Sequence, residues 1–347
     1  MHYGPELLQS YAALYAKGGG INACRLAFSP TGLLAVRGSC VEVWNTAALE
    51  EPIGAFPASI GMCRPAWSPD GSRLAIGDGI GEGHSSASTC VSIWDVSSEE
   101  CLSRFEQEDR ALLTALAWSP DGRYIASCSR APSLKVWGAR WGEVLWSALS
   151  CSDPTLLAWS PDSHYLAANL FAPWIVTLWQ VQTHNVARTL DEGEHAPYKV
   201  LEGAFSPDGT RLAVGTDVGY VMVWYLGEEC EEARLALLFP YHMDRITGLA
   251  WSPDGDYLLS GSCDHHVALW RAATGDLLYV SGSRGSDNVI EDVAWAPDNS
   301  CLAVCDSVGV VSLFRVPPLL QATQEGRQRA ASPGFRASNA TRGDSGF

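Results

Sequence analysis

Asp264-His265-His266 is the sequence's densest group of side chains that could ligate a metal or move a proton. A closed metal site needs three or four convergent ligands, and this tripeptide lies at a turn between short apolar runs, where Asp264 has a structural task. Gly77-Asp78-Gly79-Ile80-Gly81-Glu82-Gly83 has the glycine content of a phosphate cradle. No helix or lysine follows it and two acids lie inside it, so it reads as a flexible loop. Gly-x-Ser-x-Gly, Walker and His-Glu-x-x-His patterns do not occur. None of the 11 cysteines sits in a Cys-x-x-Cys pair, and Cys128, Cys263, Cys301 and Cys305 fall in or beside strand-like runs. They read as reduced thiols used as small hydrophobes. The residues thus predict no catalytic group, no cofactor and no metal.

The elements around these residues follow from a repeated phrase. Ala-aromatic-Ser-Pro-Asp-Gly, or a close variant, recurs seven times, with prolines Pro30, Pro69, Pro120, Pro161, Pro207, Pro253 and Pro297. A period of this length marks one supersecondary unit used repeatedly. Between residues 246 and 280 four short apolar runs alternate with turns, which predicts a four-stranded antiparallel meander. Ser, Pro and Gly at the first, second and fourth places of Ser252-Pro253-Asp254-Gly255 suit a type I turn. From turn proline to the aromatic closing the third strand is 17 residues in four repeats, at Trp137, Trp224, Trp270 and Phe314. An alanine precedes the first-strand aromatic every time, from Ala27 to Ala294, suggesting a crowded place where neighbouring sheets approach.

Meanders repeated radially around a channel cover one another's faces, so an all-β, seven-bladed β-propeller of four-stranded antiparallel blades is the expected fold. Period, turn phrase and closing tryptophan resemble the WD-repeat propeller family over about 300 of the 347 residues. The dipeptide that names that family is intact only at Trp94-Asp95. The resemblance implies a hydrogen-bonded tetrad in the sixth blade, with His242, Ser260, Asp264 and Trp270 in the matching places. It also implies that an N-terminal segment, residues 1–19, completes the last blade, since Pro317-Pro318 cannot supply ladder donors there. Residues 20–316 then form the propeller and 320–347, poor in apolar residues, a disordered tail. Within that tail, Arg327-Gln328-Arg329-Ala330-Ala331-Ser332 resembles a site for basophilic kinases.

The net charge of −16 argues against direct nucleic-acid binding and suits a basic protein partner. Met1–Tyr15 lacks a basic start and a continuous apolar stretch, and no window reaches membrane-spanning length, so the expected location is cytoplasmic or nuclear, away from membranes. Acidic pairs recur at the turns between strands three and four: Glu50, Glu51, Glu99, Glu100, Glu228, Glu229, Glu231 and Glu232. They share a rim with the turn aspartates, so this rim is a candidate acidic face. On the other face Phe171 and Trp174, in an apolar loop of the fourth blade, are candidate partner contacts, with Arg130, Tyr241 and Arg245. Three functions remain open: a non-catalytic scaffold in a multiprotein complex, an acidic chaperone or reader for a basic protein such as a histone or ribosomal protein, and an enzyme or small-ligand binder using the channel. Titratable residues converging at the inner ends of first strands would favour the last, and only scattered ones are visible in the sequence.

Overall fold

The turn phrase works because its serine, aspartate and glycine bond to one another and to the strand that follows. In four blades the glycine N–H donates to the serine carbonyl three residues back at 2.9 Å, closing the turn at Gly71, Gly122, Gly209 and Gly255. The serine hydroxyl, fully or almost fully buried, accepts the N–H that starts the next strand, for example Tyr124 N to Ser119 Oγ at 2.9 Å. It donates in turn to the aspartate, Ser119 Oγ to Asp121 Oδ1 at 2.6 Å. The glycine φ of about 70–77° in these blades is a region that L-residues avoid. Ser163 and Asn299 occupy the same left-handed position in blades four and seven, at φ 62° and 61°.

Each turn joins two strands of an antiparallel meander, and the chain builds seven four-stranded sheets arranged as a ring. The computed structural model describes residues 10–15, 24–58, 63–78, 89–107, 111–131, 133–149, 154–191, 198–227, 233–282 and 288–317. The inner strand of every blade touches the inner strands of the next and the previous blade, and Arg25–Phe28 of blade one meets Ile290–Trp295 of blade seven. The architecture is a seven-bladed β-propeller. Its seventh blade takes its outer strand, Ser10–Tyr15, from the N-terminal end of the described residues, antiparallel to Val310–Arg315. No described helix is long and apolar enough to cross a membrane.

The core lies between blades, in seven clusters each shared by neighbouring sheets. The repeated alanine sits at this junction, and its carbonyl is used across it. Trp67 Nε1 donates to Ala27 O at 3.0 Å, Trp159 Nε1 to Ala117 O at 3.2 Å and Trp251 Nε1 to Ala204 O at 2.9 Å. Three such bonds stitch blade two to one, four to three and six to five.

Antiparallel strands sort the connections onto two faces. Ser-Pro-Asp-Gly turns and the turns between strands three and four share a turn face. Loops between strands two and three, and the connections between blades, share a mouth face, where each inner strand begins. Several inner strands start with a β-bulge, as between Val200 and Glu202 and between Ile290 and Asp292, which re-aims the side chains at the channel mouth.

Ser119→Ala removes an acceptor for the Tyr124 N–H and the donor to Asp121 while leaving the packing almost unchanged. It should cost about 1–3 kcal/mol, the penalty of a buried backbone donor left unmade. Urea denaturation of the variant checks this, with a loss under half a kilocalorie per mole contradicting the account.

Candidate functional site

Blade six brings His242, Ser260, Asp264 and Trp270 into one hydrogen-bonded chain. His242 Nδ1 lies 2.9 Å from Asp264 Oδ2, and Nε2 lies 2.8 Å from Ser260 Oγ. The carboxylate can only accept, so Nδ1 carries the proton. Trp270 Nε1 donates to Ser260 Oγ at 2.8 Å. Burial pushes the Asp264 carboxyl up, but the hydrogen bond and charge of His242 and the N–H groups of Met243 and His266 bring it down to about 2. Asp, His and Ser stand here in the order of a nucleophilic triad. Ser260 is wholly buried, however, and the indole N–H occupies its oxygen, so no substrate carbonyl reaches it. The chain of bonds fastens the blade; His265 and His266 add no third ligand, and no metal-holding cluster occurs among the described residues.

At the channel mouth a cavity of about 490 Å³ is lined by Arg25, Arg64, Arg130, Glu202, Arg245 and Glu291, among others. Arg64, from blade two, grips Asp292 of blade seven through Nε at 2.7 Å and Nη2 at 2.5 Å. Its Nη1 reaches Glu202 of blade five at 2.7 Å. Asp292 also accepts the Leu26 N–H of blade one at 2.9 Å. Beside it Arg25 donates to the Glu291 carbonyl at 2.8 Å. Asp292 is fully buried, whereas the Arg64 side chain keeps 30% exposure toward the cavity. Burial works against the charged guanidinium, yet Asp292 and then Glu202 outweigh it and hold Arg64 well above its ordinary value. Burial, with the Asp292 charge, holds the Glu202 carboxyl above its ordinary value although Arg64 pulls it down. The scattered titratable residues of the sequence therefore do converge, but as a saturated ion-pair network. Asp292 is held by a bidentate guanidinium and two backbone N–H groups.

Gly248 makes room for this network: a Cβ there would stand 2.8 Å from Asp292 Oδ1 and 2.7 Å from Val293 N. Counting two residues back from the repeated alanine gives Arg25, Arg64, Ala115, Leu156, Glu202, Gly248 and Asp292. Aligning the repeats on that alanine is the sequence signal that reveals the channel charges.

The mouth face also carries the candidate contacts. Phe171 is 42% exposed, with its ring 6.0 Å from Trp179. Trp174 is half-buried against the cluster between blades four and five, so of the two aromatics Phe171 is the one that reaches solvent. Arg130 and Arg245 are exposed at the rim of the cavity, and Arg245 Nε donates to Cys263 Sγ at 2.9 Å. Burial keeps that thiol above its ordinary value, and neutral, despite the guanidinium. Tyr241 is half-buried, its ring 5.5 Å from His242. Met243, next to them, is 92% exposed and was not singled out by sequence.

On the turn face Glu50, Glu51, Glu99 and Glu100 are all exposed. Glu228, Glu229, Glu231 and Glu232 lie outside the described residues, as do the Gly79–Gly83 part of the loop and Ser332. The turn aspartates are occupied by their own turns: Asp70, held by the Ser68 hydroxyl, then by the N–H and hydroxyl of Ser72, sits at about 2.

The family model described as WD domain, G-beta repeat matches residues 99–138 and 234–271. Each match runs from the outer strand of one blade through three strands of the next, and the second covers the whole tetrad. This chain is a WD-repeat β-propeller.

Among its relatives, rat Transducin beta-like protein 3 is 33% identical over 52% of this propeller chain and 22% of its own length. Protein HIR1 of Kluyveromyces lactis is 30% identical, over 34% of this chain and 16% of its own. Eukaryotic translation initiation factor 3 subunit I of Debaryomyces hansenii is 24% identical, over 58% of this chain and 65% of its own. The WD-repeat chain thus spans less than a quarter of the first two proteins.

Asp264→Ala should cost the propeller about 1.5–3 kcal/mol at neutral pH, the range for a hydrogen bond to a charged group. Because the native carboxyl lies at about 2, below its ordinary 3.8, this stability is complete above the ordinary value and is lost as pH falls toward the native one. Urea titrations at neutral pH and near the acid end of the folded range should show the gap between parent and variant closing in acid; a pH-independent gap contradicts the pairing.

Proposed function

We propose that this propeller is a non-catalytic scaffold within a multiprotein assembly, cytoplasmic or nuclear, that seats a protein partner on its mouth face. The observation that carries the reading is that exposed Phe171 and Met243 share a face with the cavity that Arg130 and Arg245 line. Aromatic, Met and Arg side chains dominate interface energetics. The saturated channel charges and the closed Ser260 support a platform over a reaction centre. One relative is by name a subunit of a larger factor, which supports membership in an assembly.

A second reading rests on the turn face, where exposed Glu50, Glu51, Glu99 and Glu100 suit a basic protein. Binding there would be steeply salt-dependent, since exposed charges are screened within about 8 Å at physiological ionic strength. Part of that field is spent locally, because Arg123, Arg211 and Arg271 each stand 3.9 Å from a turn-face aspartate.

Phe171→Ala and Trp174→Ala separate contact from packing. Phe171→Ala should leave the melting temperature unchanged but weaken partner recovery from native cells by an amount equivalent to about 2 kcal/mol, as for an interface anchor. Trp174→Ala should lower stability by less than the ~3–5 kcal/mol of a wholly buried aromatic. Quantitative co-purification with thermal melts of both variants reads the two effects. Recovery unchanged in Phe171→Ala but abolished by neutralising Glu99 and Glu100 would move the partner to the turn face.

A further inference from the structure

Blade three has an outer edge unlike those of blades one, two, four, five and six. In one hairpin it exposes Trp141, Val144, Leu145 and Leu149, with Trp141 at 74% and Leu149 at 84%. Its outer strand, Val144–Leu149, contains no charged residue and stands last in its sheet, with no described strand beyond it. Such an edge offers unpaired backbone N–H and C=O groups, which proteins ordinarily guard with charge, proline or short length. Guards are present in four other blades: Arg104 and Glu106 in blade two, Arg188 in blade four, Arg234 in blade five, and Pro57 ending the short strand of blade one. Blade six has an uncharged outer strand, Leu277–Gly282, but its side chains from Leu277 to Ser281 are buried or half-buried.

The charge of this blade sets it apart as well. Residues 111–149 carry Arg123, Arg130, Lys135 and Arg140 against Asp121 and Glu143, a net 4 − 2 = +2 in a chain of −16. Arg140 stands over the Trp141 ring at 4.7 Å, fixing an exposed aromatic at the end of the edge. A bulge isolates Leu145, so the regular part of the strand is Trp146–Leu149, paired to Val136–Ser133.

We propose that this edge is a strand-addition site for an extended segment of another protein, apolar at alternate positions and acidic between them. Backbone pairing to Trp146–Leu149 would supply affinity, and the alternate side chains would read the flanks. Acidic residues meet the one net-positive repeat of the chain, whereas a second copy pairing edge to edge would set this positive hairpin against itself. The site is separate from the mouth face and does not depend on what binds there.

The test uses acetylated peptides of about eight residues, alternating valine with glutamate, serine or lysine, and a backbone N-methylated glutamate version that cannot pair. Calorimetry on the full chain should rank glutamate above serine above lysine, with the N-methylated peptide silent. Hydrogen exchange should show new protection at Trp146–Leu149. Leu149→Glu, at a site too exposed to disturb folding, should weaken the glutamate peptide by about tenfold or more through like charge. Trp141→Ala serves as the second variant and should also weaken it. Absence of binding, an inverted charge order, or binding that protects other strands overturns the proposal. So does a dimer in sedimentation that Leu149→Glu dissolves, because the occupant is then a second copy.

Discussion

Arg64 holds together blades that never touch through their sheets. A propeller is a ring of units that each pack on two neighbours, so a load on one junction is relieved only by its neighbours. The Arg64 guanidinium, carried by blade two, bonds to Glu202 in blade five and Asp292 in blade seven, and Asp292 holds the Leu26 N–H of blade one. One side chain therefore ties the ring across its channel and at its closure. A buried ion pair of this kind adds little net stability against apolar replacements, but removing one partner leaves charges stranded and costs several kilocalories per mole. Its effect is to fix one arrangement of the inner strands.

With the channel crossed by ion pairs of its own, the surfaces around it carry what is left for recognition. They differ in chemistry. The mouth face combines arginines with exposed Phe171 and Met243. The turn face carries acids, softened where arginines stand near the turn aspartates. The outer flank of blade three is apolar and locally positive. Three surfaces of distinct chemistry on one rigid ring suit a molecule whose work is to hold proteins in relation to one another.

The fold was legible because its signals are local. Ser252-Pro253-Asp254-Gly255 specifies a turn locally, and the structure uses the Ser252 and Asp254 side chains and the Gly255 N–H within it. The propeller followed from counting such turns. The channel network was not legible residue by residue, since Arg64 and Asp292 are 228 positions apart and meet only when the ring closes. Their repeat position did mark them, at the same distance before the alanine. Exposure was the hardest property to read: Phe171 and Trp174 sit in the same loop, and only the packing of blade five beside it decides that one is covered.

The most direct measurement is a double-mutant cycle on the channel strut. Equilibrium unfolding would compare Arg64→Met, Glu202→Gln and the pair. Arg64→Met should lose about 3–5 kcal/mol, because it strands two carboxylates in a partly buried site. Adding Glu202→Gln removes one stranded charge and should restore about 1 kcal/mol or more of that loss, a coupling well above additive error. Single substitutions that each cost less than about half a kilocalorie per mole and add without coupling would show that the ring closes without its strut.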